Sequence, residues 1–519
     1  MSENAQVTRR AGVVSFFTLI SRITGLLRES VVAYYFGTSA VTDAFYMAFT
    51  IPNLLRRFVA EGALTISFIP IFTKEYKKSP VTAKDLSNQA FSYLTLFLIF
   101  ITALGMWGAP WILKGMAAGF EGDPEQFRLA VTLTRFCFPY IIFVSIAALV
   151  MGVLNSLKIF ASPAASPICL NLGLVAGAIA SPWFHPPVYG LAAGILFGGV
   201  AQLAVQLPDL SRTGYFPRIR FGIHPELKAL LGLMLPAAYG AAVYQLNVVI
   251  MRLFASYLPT GSISYLWYAN RLFEFPMGVF AIALATAIQP TLSGFAAEHK
   301  WKEFRESLNY GLRLNFLITI PAMVGLIVLS HPIVRVLLQR GEFDPIAAHA
   351  TATAMMGYSL GLPFLGLVRI IVPAYYAMGD SRRPVWFATL AVAVNLVLGW
   401  WWHIPLKHNG LALALSASCF VNAVGLLAWL RWKVGPLGIR KLIRVGWQTG
   451  IASIVMGALL WSTQQSGWWL VAGHSLWRQG LELMIGVGVG IAVFFAVAKL
   501  LGCEEVREAW RMFRRKLTP

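Results

Sequence analysis

The chain has 519 residues, 57% of them hydrophobic and 12% charged, with a mean hydropathy of +0.66 and a formal net charge of +20. Soluble domains carry about 25% charged residues, so a water-soluble chain of this size could not cover its surface; the composition is that of an all-α polytopic membrane protein. The basic excess does not signal nucleic acid, because Lys and Arg fall in short clusters between apolar stretches, as in cytoplasmic loops.

A spanning helix needs about 20 mainly apolar residues. About fourteen such segments follow one another, beginning near residues 11, 42, 88, 126, 164, 188, 227, 264, 309, 345, 385, 410, 441 and 479. The first is preceded by MSENAQVTRRAG, which lacks the ordered regions of a removable signal, so this helix is expected to stay. It carries Arg22, Arg28 and Glu29 inside an otherwise apolar run, with Gly25 between the arginines. The second starts at Asp43 and contains Pro52, Arg56, Arg57 and Glu61. Arg252 lies in the seventh, Arg271, Glu274 and Pro276 in the eighth, Arg313 in the ninth and Arg369 in the tenth. Prolines also interrupt segments at Pro139, Pro236 and Pro363, breaks that are tolerated where freed backbone groups are buried in protein or line a cavity. Trp-rich patches before His403 and near residue 469 read as interfacial anchors, and the C-terminal EEVREAWRMFRRKLTP as an amphipathic helix on the membrane surface.

Basic clusters such as KEYKK, SRTGYFPRIR, GDSRRP and RWKVGPLGIRKLIR occupy the even-numbered connections, which places both termini in the cytoplasm. Comparing the chain with itself at an offset of 224 residues aligns Gly37 with Gly261, Pro52 with Pro276, Pro139 with Pro363, Lys158 with Arg382 and Asn171 with Asn395. The expected organisation is two pseudo-symmetric six-helix lobes, 1–222 and 223–436, with two further helices and a cytoplasmic tail in 437–519. Repeated bundles with broken helices describe transporters.

An ionised side chain at the bilayer centre costs at least about 2.5–3.5 kcal/mol on insertion scales, so these charges must face a bundle interior or a wet cavity. Arg22 and Glu29 are two helical turns apart, and Arg271 and Glu274 share a face at a spacing of three. Basic residues nevertheless outnumber acidic ones, and an excess of buried guanidinium points to an anionic ligand. Arginine suits phosphate because its planar fork donates two parallel hydrogen bonds and never deprotonates. The four cysteines, Cys137, Cys169, Cys419 and Cys503, are scattered without disulfide or metal spacing. The eight histidines lie mostly in loops or near segment ends and assemble no catalytic motif. No metal, cofactor or enzymatic chemistry is expected.

The stretch SRITGLLRESVVAYYFGTSAVTDAFYMAFTIPNLLRRFVAEGALTISFIPIFTKEY closely resembles the opening of the MurJ/MviN lipid II flippases. YANRLFEFPMGVFAIALATAIQPTLS, QRGEFD, YYAMGDSRRPV and NGLALALSASCFVNA extend the resemblance over essentially the whole chain. It implies a fourteen-helix member of the multidrug/oligosaccharidyl-lipid/polysaccharide exporter superfamily in the inner membrane. Its partner would be lipid II, the undecaprenyl-pyrophosphate-linked disaccharide-pentapeptide used in peptidoglycan synthesis, carried from the cytoplasmic to the periplasmic leaflet by a monomer. By motif, Arg22, Arg28, Asp43, Arg56 and Arg271 fall on positions the family relies on, with Glu61 and Glu274 as supporting carboxylates and Gly25, Pro52 and Pro276 as bends. The last two helices would hold the polyprenyl tail. One departure is visible: the seventh segment offers Gln245 and Asn247 but no acid, which argues against the acidic sodium site of some members. A flippase for another polyprenyl-pyrophosphate glycan and a multidrug antiporter on the same scaffold are the rival readings; cationic drugs would want an acidic or aromatic cavity.

Overall fold

The computed structural model describes residues 3–56, 65–222, 224–278, 282–466 and 475–507. Arg57, Glu61, the Trp-rich patch near residue 469 and the tail from residue 508 lie outside the described residues. Contacts divide the chain into two units, Met1–Ser264 with Arg340–Phe343 and Tyr265–Gln339 with Asp344–Pro519.

The first unit is built from α1 (Glu3–Phe36), α2 (Ala40–Arg56), α3 (Thr65–Lys78), α4 (Pro80–Met116), α5 (Pro124–Cys137), α6 (Tyr140–Ser156), α7 (Ala161–Ile179), α8 (Tyr189–Ala204), α9 (Leu207–Arg212) and α10 (Pro225–Ser256), together with the first residues of α11 (Ser262–Pro276). The second holds the rest of α11 and α12 (Ile282–Ala297), α13 (Trp301–Val328), α14 (Ser330–Leu338), α15 (Pro345–Ser359), α16 (Leu362–Ala377), α17 (Arg382–Val434), α18 (Ile439–Gln465) and α19 (Leu476–Leu500). No strand occurs among the described residues. In lipid the helix satisfies every backbone group within one segment, and the long apolar runs take that solution.

Among the described residues eight helices are long and apolar enough to cross a membrane, and the pair α15 and α16, bent by 44°, makes a ninth candidate. Of the charged helices, α13 with Arg313 is one of the eight and α16 with Arg369 belongs to the bent pair, whereas α1, α2, α10 and α11 are not among them. In α1 the apolar run is interrupted by Arg22, Arg28 and Glu29, while α2 and α11 have 17 and 15 residues. α17 runs for 53 residues but turns at Lys407, where φ is 50° just after Pro405, so it comprises two helices.

Backbones approach closely at two places in the first unit. On α7 and α8, Gly173, Gly177, Gly190, Gly194 and Gly198 face one another: a Cβ at Gly177 would lie 2.3 Å from the Gly190 carbonyl oxygen, and one at Gly194 2.5 Å from that of Gly173. Small residues spaced by four let spanning helices meet backbone to backbone, where dispersion rather than the hydrophobic effect drives association. The second place is the end of α1. Gly37 takes φ +55° and Gly341, in the QRGEFD turn, φ +57°. The Glu342 amide donates to the Tyr34 carbonyl (3.0 Å), and a Cβ on Gly37 would meet the Glu342 carbonyl oxygen at 2.2 Å. Gly261, the repeat partner of Gly37, likewise has positive φ, at +93°.

In the second unit, one apolar core joins Leu308, Leu312, Ile370, Tyr375 and Leu426 on α13, α16 and α17. Another joins Leu317, Ala452, Met456, Phe494 and Ala498, holding α18 and α19 to α13.

Adding a side chain at the α7–α8 contact should be costly. Gly177→Leu or Gly194→Leu is expected to destabilise by about 1–3 kcal/mol through overpacking, whereas Gly450→Ala, with open space around it, should be neutral or slightly stabilising. Thermal unfolding of the purified variants in detergent checks this; equal melting temperatures for all three would remove the packing argument.

Candidate functional site

In α1 the guanidinium of Arg28 is nearly enclosed, with its side chain 11% exposed. One terminal nitrogen pairs with Glu29, and the other donates to Asn171 Oδ1 on α7 at 3.0 Å. Asn171 in turn donates to the Ser21 carbonyl (3.0 Å) and Thr24 Oγ1 (3.1 Å). The Glu29 carboxylate, 3% exposed, accepts from the Tyr46 hydroxyl of α2 at 3.4 Å. The cluster therefore ties α1 to α7 and α2 through one buried charge pair. Breaking such a pair by removing one member leaves an uncompensated buried charge.

Spacing in the sequence set Glu29 on the face of Arg22. The structure instead pairs Glu29 with its neighbour Arg28. Arg22 is half-buried on α1 and, among the described residues, shows no carboxylate partner. It lies six residues before Arg28, about 9 Å along the helix axis. Gly25, between them, has Asn171 Nδ2 at 3.7 Å from the position of a Cβ, which is ordinary contact distance.

Asp43 caps a helix distant in sequence. α11 begins after Gly261, which has no side chain to act as its own cap. Asp43, 2% exposed, supplies the missing acceptor: Oδ2 accepts from the Gly261 amide (2.7 Å), and Oδ1 from the Ser264 amide (2.8 Å) and hydroxyl (2.6 Å). A side-chain oxygen on the third helical amide is the usual N-cap arrangement, and the helix dipole favours a carboxylate there. Arg252 on α10 donates to the Ile263 carbonyl in the same turn (3.2 Å), and its charge acts on Asp43. Asp43 thus holds the first turn of α11 through two backbone amides and a hydroxyl.

The other residues expected at the site are spread over both units. In the first, Arg56 is half-buried at the end of α2, its Nε donating to Asn53 Oδ1 at 3.1 Å, and Pro52 is buried one turn earlier. In the second, Arg271 pairs with Glu274 at 3.2 Å and stacks over Trp267 at 4.7 Å. Pro276 ends α11. Arg313 on α13 pairs with Glu505, 1% exposed, which follows α19; Arg369 is exposed. Sequence reasoning did not assign roles to Asn171, Tyr46, Gly261 or Ser264. Asn171 had left a trace in its repeat match to Asn395, which is also buried, and Gly261 in its match to Gly37. Among the described residues no group of three or more His, Cys, Asp or Glu side chains could hold a metal ion.

Comparison with known proteins narrows what such an arrangement serves. The family model described as lipid II flippase MurJ matches residues 32–486. The chain is 36% identical over 515 residues to the lipid II flippase MurJ of Burkholderia cenocepacia, covering 97% of this chain and 98% of the relative. It is also 36% identical over 501 residues to the probable lipid II flippase MurJ of Vibrio cholerae, covering 94% and 95%. A solved lipid II flippase MurJ in an inward closed conformation superposes with a TM-score of 0.79 at 26% identity, over 95% of this chain and 99% of that one. A multidrug-resistance MATE transporter of the MOP superfamily shares the fold, with a TM-score of 0.62 at 14% identity and coverage of 80% and 95%.

The Asp43 cap yields a measurable coupling. Asp43→Ala leaves two amides and a hydroxyl without their acceptor and should cost about 1–3 kcal/mol, and Ser264→Ala about 0.5–1.5 kcal/mol. Because the two residues touch, the double variant should lose less than the sum, with an interaction of at least about 0.5 kcal/mol. Denaturant unfolding of the four proteins measures it; strict additivity would mean that the Ser264 hydroxyl does not bond the Asp43 carboxylate.

Proposed function

The chain belongs to the lipid II flippase MurJ family, and from that membership we propose that it carries lipid II from the cytoplasmic to the periplasmic leaflet by alternating access. It is a multi-pass membrane protein. On this reading it sits in the inner membrane with both termini in the cytoplasm, acts as a monomer and performs no covalent chemistry.

The observation that carries the reading is guanidinium held within the otherwise apolar run of α1 beyond what its carboxylate neutralises. Arg28 keeps its position through Glu29 and Asn171, while Arg22, on the same helix, has no acidic partner among the described residues. A pyrophosphate offers the two charges and the oxygen geometry that such groups bind bidentately. We assign pyrophosphate binding to Arg22, Arg28, Arg56 and Arg271, with Glu274 orienting Arg271 from one turn away on α11 and Glu61 as a further supporting carboxylate. Asp43 holds the first turn of α11 through donors that water can replace, which makes this link able to break and re-form during transport. Gly25, Pro52 and Pro276 are the places where the helices would bend.

The internal repeat supports lobes at 1–222 and 223–436, each a six-helix half. Residues 437–519 add α18 and α19, whose exposed Ile454, Trp461, Met484 and Ile485 offer an apolar surface for the polyprenyl tail.

Complementation of a strain depleted of its own flippase tests the assignment. Arg28→Ala and Arg271→Ala should each fail to support growth at normal membrane levels. Binding of a polyprenyl pyrophosphate to the purified variants should fall about tenfold or more, the value of one lost charge-assisted hydrogen bond. Growth of both variants at normal levels would remove the arginines from the transport step.

A further inference from the structure

The segment joining α9 to α10 forms a polar strap along α4. Tyr215, buried against Phe72 and Tyr76, starts it, its hydroxyl donating to the Pro80 carbonyl (3.1 Å). The Arg218 amide then donates to Asn88 Oδ1 (3.0 Å), the Arg220 amide to Ser92 Oγ (2.8 Å) and the His224 amide to Gln89 Oε1 (2.8 Å), while the Gly222 carbonyl accepts from the Tyr93 hydroxyl (3.0 Å). Every second residue turns its backbone to the helix, the period of extended chain. Asn88, Gln89 and Ser92 are buried at 6%, 5% and 4% exposure because this strap covers them.

What the strap turns outward is unusual for a solvated loop. Phe216, Ile219 and Phe221 are 51%, 78% and 60% exposed, interleaved with exposed Arg218 and Arg220. Arg220 pairs with Asp85 at 2.8 Å; Arg218 shows no ion pair among the described residues. The depth of these side chains follows from α4. Its 37 residues measure about 55 Å, against a hydrocarbon core of about 30 Å, so several turns project beyond the lipid tails. From Leu96 onward α4 presents Leu96, Phe97, Ile99 and Phe100, all more than half exposed, as a lipid-facing surface. Phe221 packs edge-on against Tyr93 at 5.7 Å, immediately before that run. Tyrosine next to a lipid-facing run marks the headgroup level.

We propose that residues 216–222 are a membrane-surface anchor, with Ile219 and Phe221 set into the boundary between headgroups and acyl chains and Arg218 and Arg220 facing the phosphates of anionic phospholipids. Extended backbone is tolerated there because its amides are satisfied by α4. Apolar side chains supply the insertion, and the arginines supply the preference for anionic lipid. The anchor fixes the polar end of α4, and with it the chain between the two repeats, at a set height in the bilayer.

Site-directed spin labelling tests this on the full chain with Cys169 and Cys419 replaced by serine. The protein is reconstituted in phosphatidylcholine vesicles with or without about one third phosphatidylglycerol. In the anionic vesicles, labels at Ile219→Cys and Phe221→Cys should be accessible to oxygen and protected from an aqueous nickel chelate, approaching the behaviour of a Leu96→Cys label. Omitting phosphatidylglycerol, or adding Arg218→Gln, should raise nickel accessibility at Ile219 severalfold; that substitution leaves the strap's backbone bonds in place. Nickel accessibility equal to that of an exposed Ser211→Cys label in both lipids would overturn the proposal, leaving a solvated strap or a surface for another protein. Protection unchanged by lipid charge and by Arg218→Gln would overturn the assignment of anionic phospholipid as the occupant.

Discussion

An ionised side chain placed where lipid tails should be has to bring its own solvation, and this requirement organises the first unit. Arg28 cannot be hydrated by bulk water, so Glu29, Asn171 and Tyr46 do the work from three helices. Each member is held by another: Asn171 is oriented by the Ser21 carbonyl and Thr24, and Glu29 by Arg28 and Tyr46. The cost of leaving any one unpaired in a low-dielectric setting fixes the rotation of α1 against α7. The glycine-lined contact of α7 with α8 then allows the close approach that the geometry needs.

The same logic operates at chain ends and breaks. A helix start leaves amides without partners, and at α11 they are met by a carboxylate from α2 rather than by a local cap. The QRGEFD turn settles on the end of α1 by direct backbone contact, which is why Gly37 and Gly341 both lack side chains where their φ angles are positive.

Side-chain amides recur as the means of securing connections. Asn88 and Gln89 hold the strap on α4; in the second unit Asn309 donates to the Leu437 and Gly438 carbonyls (2.6 and 3.2 Å), and Gln448 to the Leu501 carbonyl (2.8 Å). A neutral amide can satisfy two backbone groups without the desolvation penalty of a charge. It is therefore suited to segments that lie close to lipid.

The amino-acid sequence alone determined the class of the molecule and the identity of its unusual residues. Hydropathy and charge are properties of short windows, so the helices, their proline breaks and the arginines within them can be read one residue at a time. The partners of those residues were settled only by tertiary structure. Arg22 and Glu29 match by helical spacing, yet the neighbouring Arg28 takes Glu29 because Asn171 and Tyr46 converge there from α7 and α2. Asp43 finds its amides 218 and 221 residues away, a distance across which no local periodicity carries information. A charge announces itself in a window, but its compensation depends on which helices pack side by side.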